Sequence, residues 1–419
     1  MKKVLFSILS LGIMGTSFAQ VTTDTVTTGA GYLNQQFYKL ADGNETAIGA
    51  KSWHLAFRPN VGQFGAAIRF NSLTGDLRFL PNADVDESLV DADTTGWATQ
   101  ESLYDLDDNI LVGAFNQNSE IEISGDQFDY SWGQYVMASH SVAAKRAFGA
   151  LIGSDFYIFK FSLQAVEKIY TVTYFKLGDA NEVTYTVDMS TSNDKNFVYS
   201  NVIDKNTLDV EPKALEWDLF FGQYHTNVGG GMMYPVAGVL NNLKTEVAKV
   251  IDADPAGYGY TGNEVFSTKN NAIGYTWKAA GQGGVTIADT VAYFVKATDG
   301  AIWKIRFTGF ISGGGSDPLA GSYIFDKELI SAVGLNDIAN VFTQLYPNPA
   351  NDNVQLVVDA VENTTIEIYS LSGAKVYTNI INGGLQTLPI NTADFMNGMY
   401  QVVVTSNGVK TAKKLVVQH

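Results

Sequence analysis

The stretch Leu215-Glu-Trp-Asp-Leu-Phe-Phe-Gly-Gln-Tyr-His-Thr-Asn-Val-Gly-Gly-Gly231 decides how the large middle part of this chain folds. Its apolar run from Trp217 to Phe221 is typical of a buried β-strand, and we expect a polar loop and three glycines to follow that strand. The segment Ser52-Trp-His-Leu-Ala-Phe57 has the same tryptophan-led pattern near the N-terminus. The two copies predict that one structural unit occurs twice in the chain.

Two further pairs of segments support a duplication. Leu89-Val-Asp-Ala-Asp-Thr-Thr-Gly-Trp97 resembles Val250-Ile-Asp-Ala-Asp-Pro-Ala-Gly-Tyr258, which lies 161 residues later. The two tryptophan-led segments are 164 residues apart, and a looser pair places Trp132 and Trp277 145 residues apart. Similar offsets in independent segments indicate a repeated module of about 160 residues whose loops differ in length.

The composition favours short strands over helices. Among 419 residues, aromatic side chains make up 12% and there are 40 glycines. Aromatic and β-branched residues interrupted by Gly and Asn are typical of strands and turns. Long stretches with a helical apolar period are hard to find. The fold class that we predict is therefore all-β.

Charge and cysteine content exclude several classes of function. The formal net charge is −16, with 27 basic and 43 acidic residues, and the basic residues form no cluster in the sequence. Such a protein is repelled by nucleic acid, so we predict no nucleic-acid partner. The absence of cysteines excludes thiolate catalysis, cysteine metal sites and a disulfide framework.

Residues 1–19 have the features of a secretory signal peptide. Lys2 and Lys3 precede an apolar run from Val4 to about Met14, and the small-residue pattern Ser17-Phe-Ala19 precedes Gln20. A membrane anchor is the alternative, but the apolar run is too short to cross roughly 30 Å of hydrocarbon comfortably. We therefore expect export and cleavage, and we predict no transmembrane segment in the mature chain.

The middle region resembles the HmuY-like family of exported β-rich proteins from Bacteroidota-type bacteria. The matching pieces are Trp217-Asp-Leu-Phe-Phe221, Thr226-Asn-Val-Gly-Gly230, Asp254-Pro-Ala-Gly257, and the strand pair Phe294-Val-Lys-Ala-Thr-Asp-Gly300 and Trp303-Lys-Ile305. Together with the internal repeat, the resemblance predicts two such modules in tandem, residues 20–192 and 193–331, whereas the family usually has a single module. The first module departs from the pattern, because His54 stands where the motif has Asp218.

Some members of that family capture haem, so the resemblance implies haem as a candidate cofactor. Haem iron needs axial ligands such as His or Met, and the candidates are His54, His140, His225, Met137, Met232 and Met233. We select His225, Met232 and Met233, which lie beside the glycines that a flat ligand could approach closely. The alternative is that His225 is an ordinary polar residue and that the two methionines fill the core. The sequence does not identify a metal site.

Signatures of enzymes are absent from the sequence. It contains no Gly-x-Ser-x-Gly, His-Glu-x-x-His, P-loop or dinucleotide-binding motif. We therefore predict that the protein is not an enzyme and assign no catalytic residue. A secreted hydrolase stays a third-ranked alternative, because a glycosidase needs only two carboxylates and no sequence motif reveals them.

The C-terminal region carries the most specific pattern. Regularly spaced turns and alternating strands predict a small immunoglobulin-like sandwich at residues 343–419, after a linker at residues 332–342. Tyr346-Pro-Asn-Pro349, Ile368-Tyr-Ser-Leu-Ser-Gly373, Gly398-Met-Tyr400 and Lys413-Lys-Leu-Val416 resemble the type A sorting domain of the type IX secretion system. The resemblance implies that the type IX machinery is a partner. The alternative is an adhesive accessory domain.

These observations lead to one expected function and one main alternative. We expect a secreted or cell-surface binding protein, exported by the Sec pathway and then by type IX secretion, which captures haem or another nutrient ligand. The alternative is a structural or adhesive surface protein without a small-molecule ligand.

Overall fold

The computed structural model describes residues 21–59, 65–119, 126, 128–281, 284–314, 317–331, 342–360, 364–370, 373–382, 384–406 and 409–419. The predicted signal peptide at residues 1–19 and nearly all of the predicted linker at residues 332–342 lie outside these ranges. The chain forms two compact units, which divide between Ser331 and Ala332. Both units consist of strands, so the all-β prediction is confirmed. Within the described ranges, no helix is long and apolar enough to cross a membrane.

The described part of the N-terminal unit contains four short 3-10 helices, at Ala30–Tyr32, Leu89–Asp91, Trp97–Thr99 and Ala114–Asn116. Its described strands are β1 Thr22–Thr27, β2 Asn34–Tyr38, β3 Glu45–Gly49, β4 Leu55–Phe57, β5 Ile68–Phe70, β6 Gly75–Phe79, β7 Gly133–Val136, β8 Ser141–Ala144, β9 Phe148–Ile152, β10 Asp155–Gln164, β11 Ile169–Lys176, β12 Val183–Asp188, β13 Val198–Asn201, β14 Asn206–Leu208, β15 Leu219–Asn227, β16 Met233–Asn241, β17 Glu246–Ile251, β18 Lys278–Gly281, β19 Gly284–Ile287, β20 Val291–Lys296, β21 Ile302–Ile311 and β22 Ser322–Ser331.

Apart from the small β18-β19 hairpin, the described strands of this unit build four sheets that stack as layers. The first inner sheet has the order β14-β13-β4-β5, and the second inner sheet has the order β16-β15-β2-β3. The first outer sheet contains β6-β9-β10-β11-β12 with the β7-β8 hairpin, and the second outer sheet has the order β1-β22-β21-β20-β17. One apolar core lies between each outer sheet and its inner sheet, and a third core lies between the two inner sheets.

Alternation along the inner strands explains why both tryptophan-led segments end in an unbroken apolar run, Leu55–Phe57 and Leu219–Phe221. In β15, Leu219 and Phe221 pack toward the second outer sheet, whereas Phe220 packs into the core between the inner sheets. In β4, Leu55 and Phe57 pack toward the first outer sheet and Ala56 packs into the same central core. Successive side chains of a strand point to opposite faces. A strand that is covered on both faces therefore needs an unbroken apolar run.

The repetition seen in the sequence corresponds to a repetition of topology. The strand order β6-β9-β10-β11-β12 of the first outer sheet is matched by β17-β20-β21-β22-β1 in the second. The inner sheets match in the same way, with β4 and β5 equivalent to β15 and β16, and β13 and β14 equivalent to β2 and β3. We call β4–β14 the first half and β15–β22 with β1–β3 the second half.

Equivalent hydrogen bonds fix the two tryptophan-led segments. The side-chain amide of Asn71 donates to the carbonyl oxygens of Ala50 and Trp53, at 2.8 and 2.9 Å. The side-chain amide of Asn242 donates to the corresponding carbonyl oxygens of Ala214 and Trp217, both at 2.9 Å. Each asparagine thus stabilises the equivalent turn, because its short side-chain amide can donate to two backbone carbonyl oxygens of that turn.

His54 and Asp218 also play equivalent parts. The Nδ1 atom of His54 accepts the backbone N–H of Val202 at 3.3 Å, and Oδ2 of Asp218 accepts the N–H of Leu40 at 2.9 Å. Burial lowers the pKa of His54, which keeps its ring neutral and Nδ1 free to accept. The departure from the family motif at His54 is therefore accommodated, because a neutral imidazole nitrogen replaces a carboxylate oxygen.

The second half is permuted relative to the first. Its last three strands come from the N-terminus, where Thr22 of β1 pairs with Lys327 of β22 and Tyr38 of β2 pairs with Leu219 of β15. Strand β13, which lies at the start of the predicted second module, pairs with β4 and belongs to the first half. The predicted division at residues 192 and 193 therefore does not separate two bodies, because strands from both sides of it share sheets.

The C-terminal unit is a small sandwich of two sheets. Its described strands are β23 Phe342–Tyr346, β24 Asn353–Ala360, β25 Thr364–Ser370, β26 Lys375–Ile381, β27 Gly384–Asn391, β28 Gly398–Ser406 and β29 Val409–Val417. The sheets have the orders β23-β24-β27 and β26-β25-β28-β29, with an apolar core between them. Alternating inward residues such as Ile366, Ile368, Val402 and Val404 form this core, as the period-2 pattern of the sequence predicts.

We predict that the permuted order can be reversed by engineering. In a chain that runs from residue 51 to 331 and then through a short Gly/Ser linker into residues 21–50, β22 and β1 would become neighbours in sequence. The linker would join β22 to β1 in the same way that a short connection joins the equivalent strands β11 and β12 in the first half. We expect this permuted unit to unfold in urea as cooperatively as the native order, because permutation at exposed connections is generally tolerated.

The matched control lacks residues 21–50 altogether. We expect Trp277 and Trp303, in the second half, to become exposed to an aqueous quencher, while Trp132 in the first half stays protected. Native-like protection of Trp277 and Trp303 without β1–β3 would contradict the assignment of these strands to the second half.

Candidate functional site

A cavity of about 60 Å³ lies between the two inner sheets. A space of this size holds about four to six water molecules, because each needs roughly 10–15 Å³ by the same measure. Aromatic rings from both halves form much of its wall, and polar groups complete it. Its lining includes Gln35, Phe37, Trp53, Arg69, Asn71, Ser72, Asp105, Leu106, Ile110, Phe197, Tyr199, Glu211, Trp217, Phe220, Gln223, Tyr224, His225, Leu240 and Asn241.

The two halves contribute different chemistry to this cavity. Arg69 on β5 pairs in register with Ala56, and its equivalent in the second half is Leu240, which pairs with Phe220. The guanidinium of Arg69 lies 5.1 Å above the centre of the Phe197 ring. The first inner sheet therefore has a charged side chain at the position where the second inner sheet has a leucine. Replacement of a core position by Arg in one half only is the kind of asymmetry expected at a site.

Asp105 holds Arg69 in place. The Nε atom of Arg69 donates to Oδ2 of Asp105 at 3.0 Å. The other oxygen, Oδ1, accepts the backbone N–H groups of Phe70 at 3.1 Å and Ala114 at 2.8 Å. Burial raises the pKa of Asp105, and the Arg69 charge and these N–H donors oppose that rise. A partly buried ion pair in which both carboxylate oxygens accept hydrogen bonds is well determined in position.

Glu211 is the most deeply buried carboxyl at the cavity, with 2% of its surface exposed. Its two oxygens accept the backbone N–H groups of Asn196 and Phe197, both at 3.2 Å, and it also bonds the hydroxyl of Tyr199. Burial raises the pKa of Glu211 to about 7, despite these donors and the Arg69 charge. Near neutral pH this group is therefore poised between its two protonation states.

His225 lies at the partly exposed side of the cavity. Its Nδ1 atom is 2.7 Å from Oγ of Ser72, and its ring packs at 4.8 Å and 36° against the ring of Tyr104. Burial lowers the pKa of His225, so its imidazole is neutral at pH 7. A neutral imidazole is the form that ligates metals.

Tyr104 also borders a second opening on the outside of the unit. This surface cleft has a volume of about 420 Å³ and is lined by Phe79, Gln100, Glu101, Ser102, Leu103, Tyr104, Leu106, Gln117, Asn118 and Met233. Leu106 lines both the cleft and the cavity. The segment from Gln100 to Leu106 therefore forms the partition between the two spaces.

The structure brings two of the three selected haem ligands near one another and leaves the third outside. His225 lies on β15, not in a loop as we expected, because the strand continues to Asn227 and only residues 228–232 form the turn. Met233 opens β16 opposite Asn227 and lines the cleft. Met232 lies in the turn with 59% of its surface exposed and lines neither space.

The remaining candidate ligands lie elsewhere. His54 is buried in its structural role beside β13. His140 lies in the loop between β7 and β8, and its Nδ1 atom is 2.8 Å from the hydroxyl of Tyr135. Met137 is exposed in the same loop. Within the described ranges, no group of three His, Asp or Glu side chains is arranged to hold a metal ion.

Sequence reasoning missed the charged residues of the cavity. Arg69, Asp105 and Glu211 belong to no motif and come from three distant segments. One weak signal was present, because Arg69 interrupts the apolar strand Ile68-Arg-Phe70, whose neighbours are both buried. Nothing in the sequence around Glu211 indicates that this carboxyl enters the core.

Comparisons with known proteins inform the C-terminal unit. Residues 344–418 match the family described as "Secretion system C-terminal sorting domain". The prediction of a type IX sorting domain at residues 343–419 is therefore confirmed, and this domain indicates secretion or attachment at the outer surface. The resemblance of the middle region to the HmuY-like family is not shown by these comparisons and stays a prediction.

The other comparisons add little. No curated protein matches the chain. Among solved structures, the crystal structure of dimeric latent PorU from Porphyromonas gingivalis matches with 11% identity and a TM-score of 0.16. That match covers 64% of this chain and 26% of the PorU chain. A likeness at this level carries no argument about fold or function.

We predict that Glu211 makes the stability of the N-terminal unit depend on pH. Its pKa is about 7 in the folded chain and near 4.5 when unfolded. Between these values the unfolded chain has released a proton that the folded chain still holds, so a rise in pH favours unfolding. Relative to Glu211→Gln, the native protein should lose about 3 kcal/mol between pH 4 and pH 8.

Urea unfolding of the mature chain, followed by tryptophan fluorescence, measures this effect. All six tryptophans lie in the N-terminal unit, so the signal reports that unit alone. Other titrating groups cancel in the difference between the two proteins. The glutamine also leaves one N–H donor unpaired, which lowers stability by the same amount at every pH. A difference that does not change with pH would show that Glu211 titrates normally.

Proposed function

We propose that the protein is a non-enzymatic binding protein that works outside the cell or at its outer surface. The sorting domain at residues 344–418 supports the location, since it implies contact with the type IX secretion machinery. In this proposal the N-terminal unit binds the ligand. The observation that carries the binding proposal is the surface cleft of about 420 Å³, which falls within the range of roughly 300–1,000 Å³ typical of small-molecule sites.

Haem or a related flat ligand is the candidate occupant of this cleft. Met233 lines it, and its thioether sulfur is a type of axial ligand for haem iron. The neutral His225 ring lies directly behind Tyr104. Rotation of the partly exposed Tyr104 side chain would open the cleft onto His225, and such rotations are fast on the surface of proteins. Met233 and His225 are therefore the proposed ligand-binding residues, and Met232 is not.

A hemin titration of the mature protein tests this function. We expect a saturable shift of the Soret band, and we expect Met233→Ala and His225→Ala each to weaken binding by about tenfold or more, as the loss of about 1.4 kcal/mol implies. Met232→Ala is the matched control, because this exposed neighbour has the same chemistry but lies outside the cleft. Absence of a Soret shift would instead favour the structural or adhesive alternative.

Deletion of the sorting domain tests the proposed location separately. A chain that ends at Ser331 should be exported across the inner membrane and then accumulate in the periplasm, because the address for the second step is missing. Fractionation of cells and culture medium measures this distribution. Release of the shortened chain into the medium at the native level would show that residues 344–418 are not required for export.

A further inference from the structure

The inner cavity is bordered by a buried donor that has no hydrogen-bond partner among the described residues. It is Nε1 of Trp217, which is 4% exposed and lines the cavity. Tyr224, whose hydroxyl also has no partner among these residues, lines the same cavity. Buried polar atoms are nearly always paired with protein or with an ordered molecule. An indole N–H left unpaired beside a cavity therefore calls for an occupant.

Comparison of the two halves shows that the free indole is specific to one of them. Nε1 of Trp53, the equivalent of Trp217, donates to Oε1 of Gln35 at 3.2 Å. The strand registers place Phe197 at the position in the first half that is equivalent to Gln35 in the second. Phenylalanine has no acceptor. The same fold thus satisfies one tryptophan internally and leaves the other open toward the cavity.

The surroundings define the chemistry that would fit. The indole N–H of Trp217 needs an acceptor, and the Tyr224 hydroxyl can pair with a donor or an acceptor. Arg69 and Asp105 already neutralise one another. A charged ligand would have to enter without a free counter-charge, which is costly in a buried site. An uncharged molecule with both donor and acceptor groups meets every requirement.

We propose that this cavity is a binding site for a small uncharged polar molecule, an alcohol or amide of a few heavy atoms. Its acceptor bonds Nε1 of Trp217. Its carbon atoms pack on the surrounding aromatic rings, such as Phe37 and Phe220. The partly exposed side, at Ser72 and His225, is where the cavity lies nearest to solvent. This site is separate from the surface cleft and does not depend on what binds there.

Nuclear magnetic resonance of the mature protein labelled with ¹⁵N tests the proposal. Each tryptophan gives one indole N–H signal, and single Trp→Phe variants assign them. We expect millimolar glycerol or acetamide to shift the Trp217 signal in a saturable way. Trp132 and Trp303 are the internal controls, because their indole N–H groups also lack partners but neither residue lines the cavity.

Phe197→Gln is the decisive variant, since it supplies the partner that Gln35 gives to Trp53. It should weaken binding at least fivefold. Urea unfolding checks that the variant is folded, because Phe197 is a buried core residue that packs against Arg69. Acetate and methylammonium, the charged probes of similar size, should leave the Trp217 signal unmoved.

Three results would overturn the proposal. The first is a Trp217 signal that responds to no uncharged probe, which would mean that water alone fills the cavity. The second is an equal response in Phe197→Gln. The third is a response to the charged probes only.

Discussion

Burial of the two inner sheets on both faces is the constraint on which the N-terminal unit depends. Each inner strand must present apolar side chains to an outer sheet and to the central core at once, as Leu219, Phe220 and Phe221 do. A polar group that enters such a layer must find a partner inside it. The Arg69–Asp105 pair and the bonds of Glu211 follow from that requirement. The central core is therefore where apolar packing and buried polar chemistry meet, and both proposed sites lie at its edge or within it.

The near-symmetry of the two halves gives the asymmetries their meaning. Equivalent positions with the same chemistry, such as Asn71 and Asn242, maintain the fold. Equivalent positions with different chemistry, such as Arg69 against Leu240 or Gln35 against Phe197, cannot be explained by the fold alone, since the other half folds without them. Each half of the unit can thus be compared with the other, and the positions at which they differ indicate the cavity more directly than any sequence motif does.

The sequence predicted what depends on local pattern and failed where partners are distant. Strand class, the repeated tryptophan segments and the sorting domain were accessible, because period-2 alternation and short motifs are local signals. The sharing of sheets between residues 20–192 and 193–331 was not accessible, because nothing local in Thr22–Thr27 shows that it pairs with β22 about 300 residues later. His225 was expected in a loop because glycines follow it, yet pairing with Pro235 keeps it in a strand. Glu211 enters the core only through tertiary contacts, which no single-sequence pattern reports.

The permuted order of the second half also governs when the molecule can become complete. Strand β1 lies at the start of the described part of the unit, and its partner β22 lies at the end. Contacts between such distant segments make folding slow, since a long loop must close before they form. The unit consequently stays unfinished until β22 is available. In a chain that is interrupted before residue 322, the backbone groups of β1 and β21 that pair with β22 stay exposed, and unpaired strand edges of this kind promote aggregation. Completion of this sheet therefore depends on the whole length of the N-terminal unit.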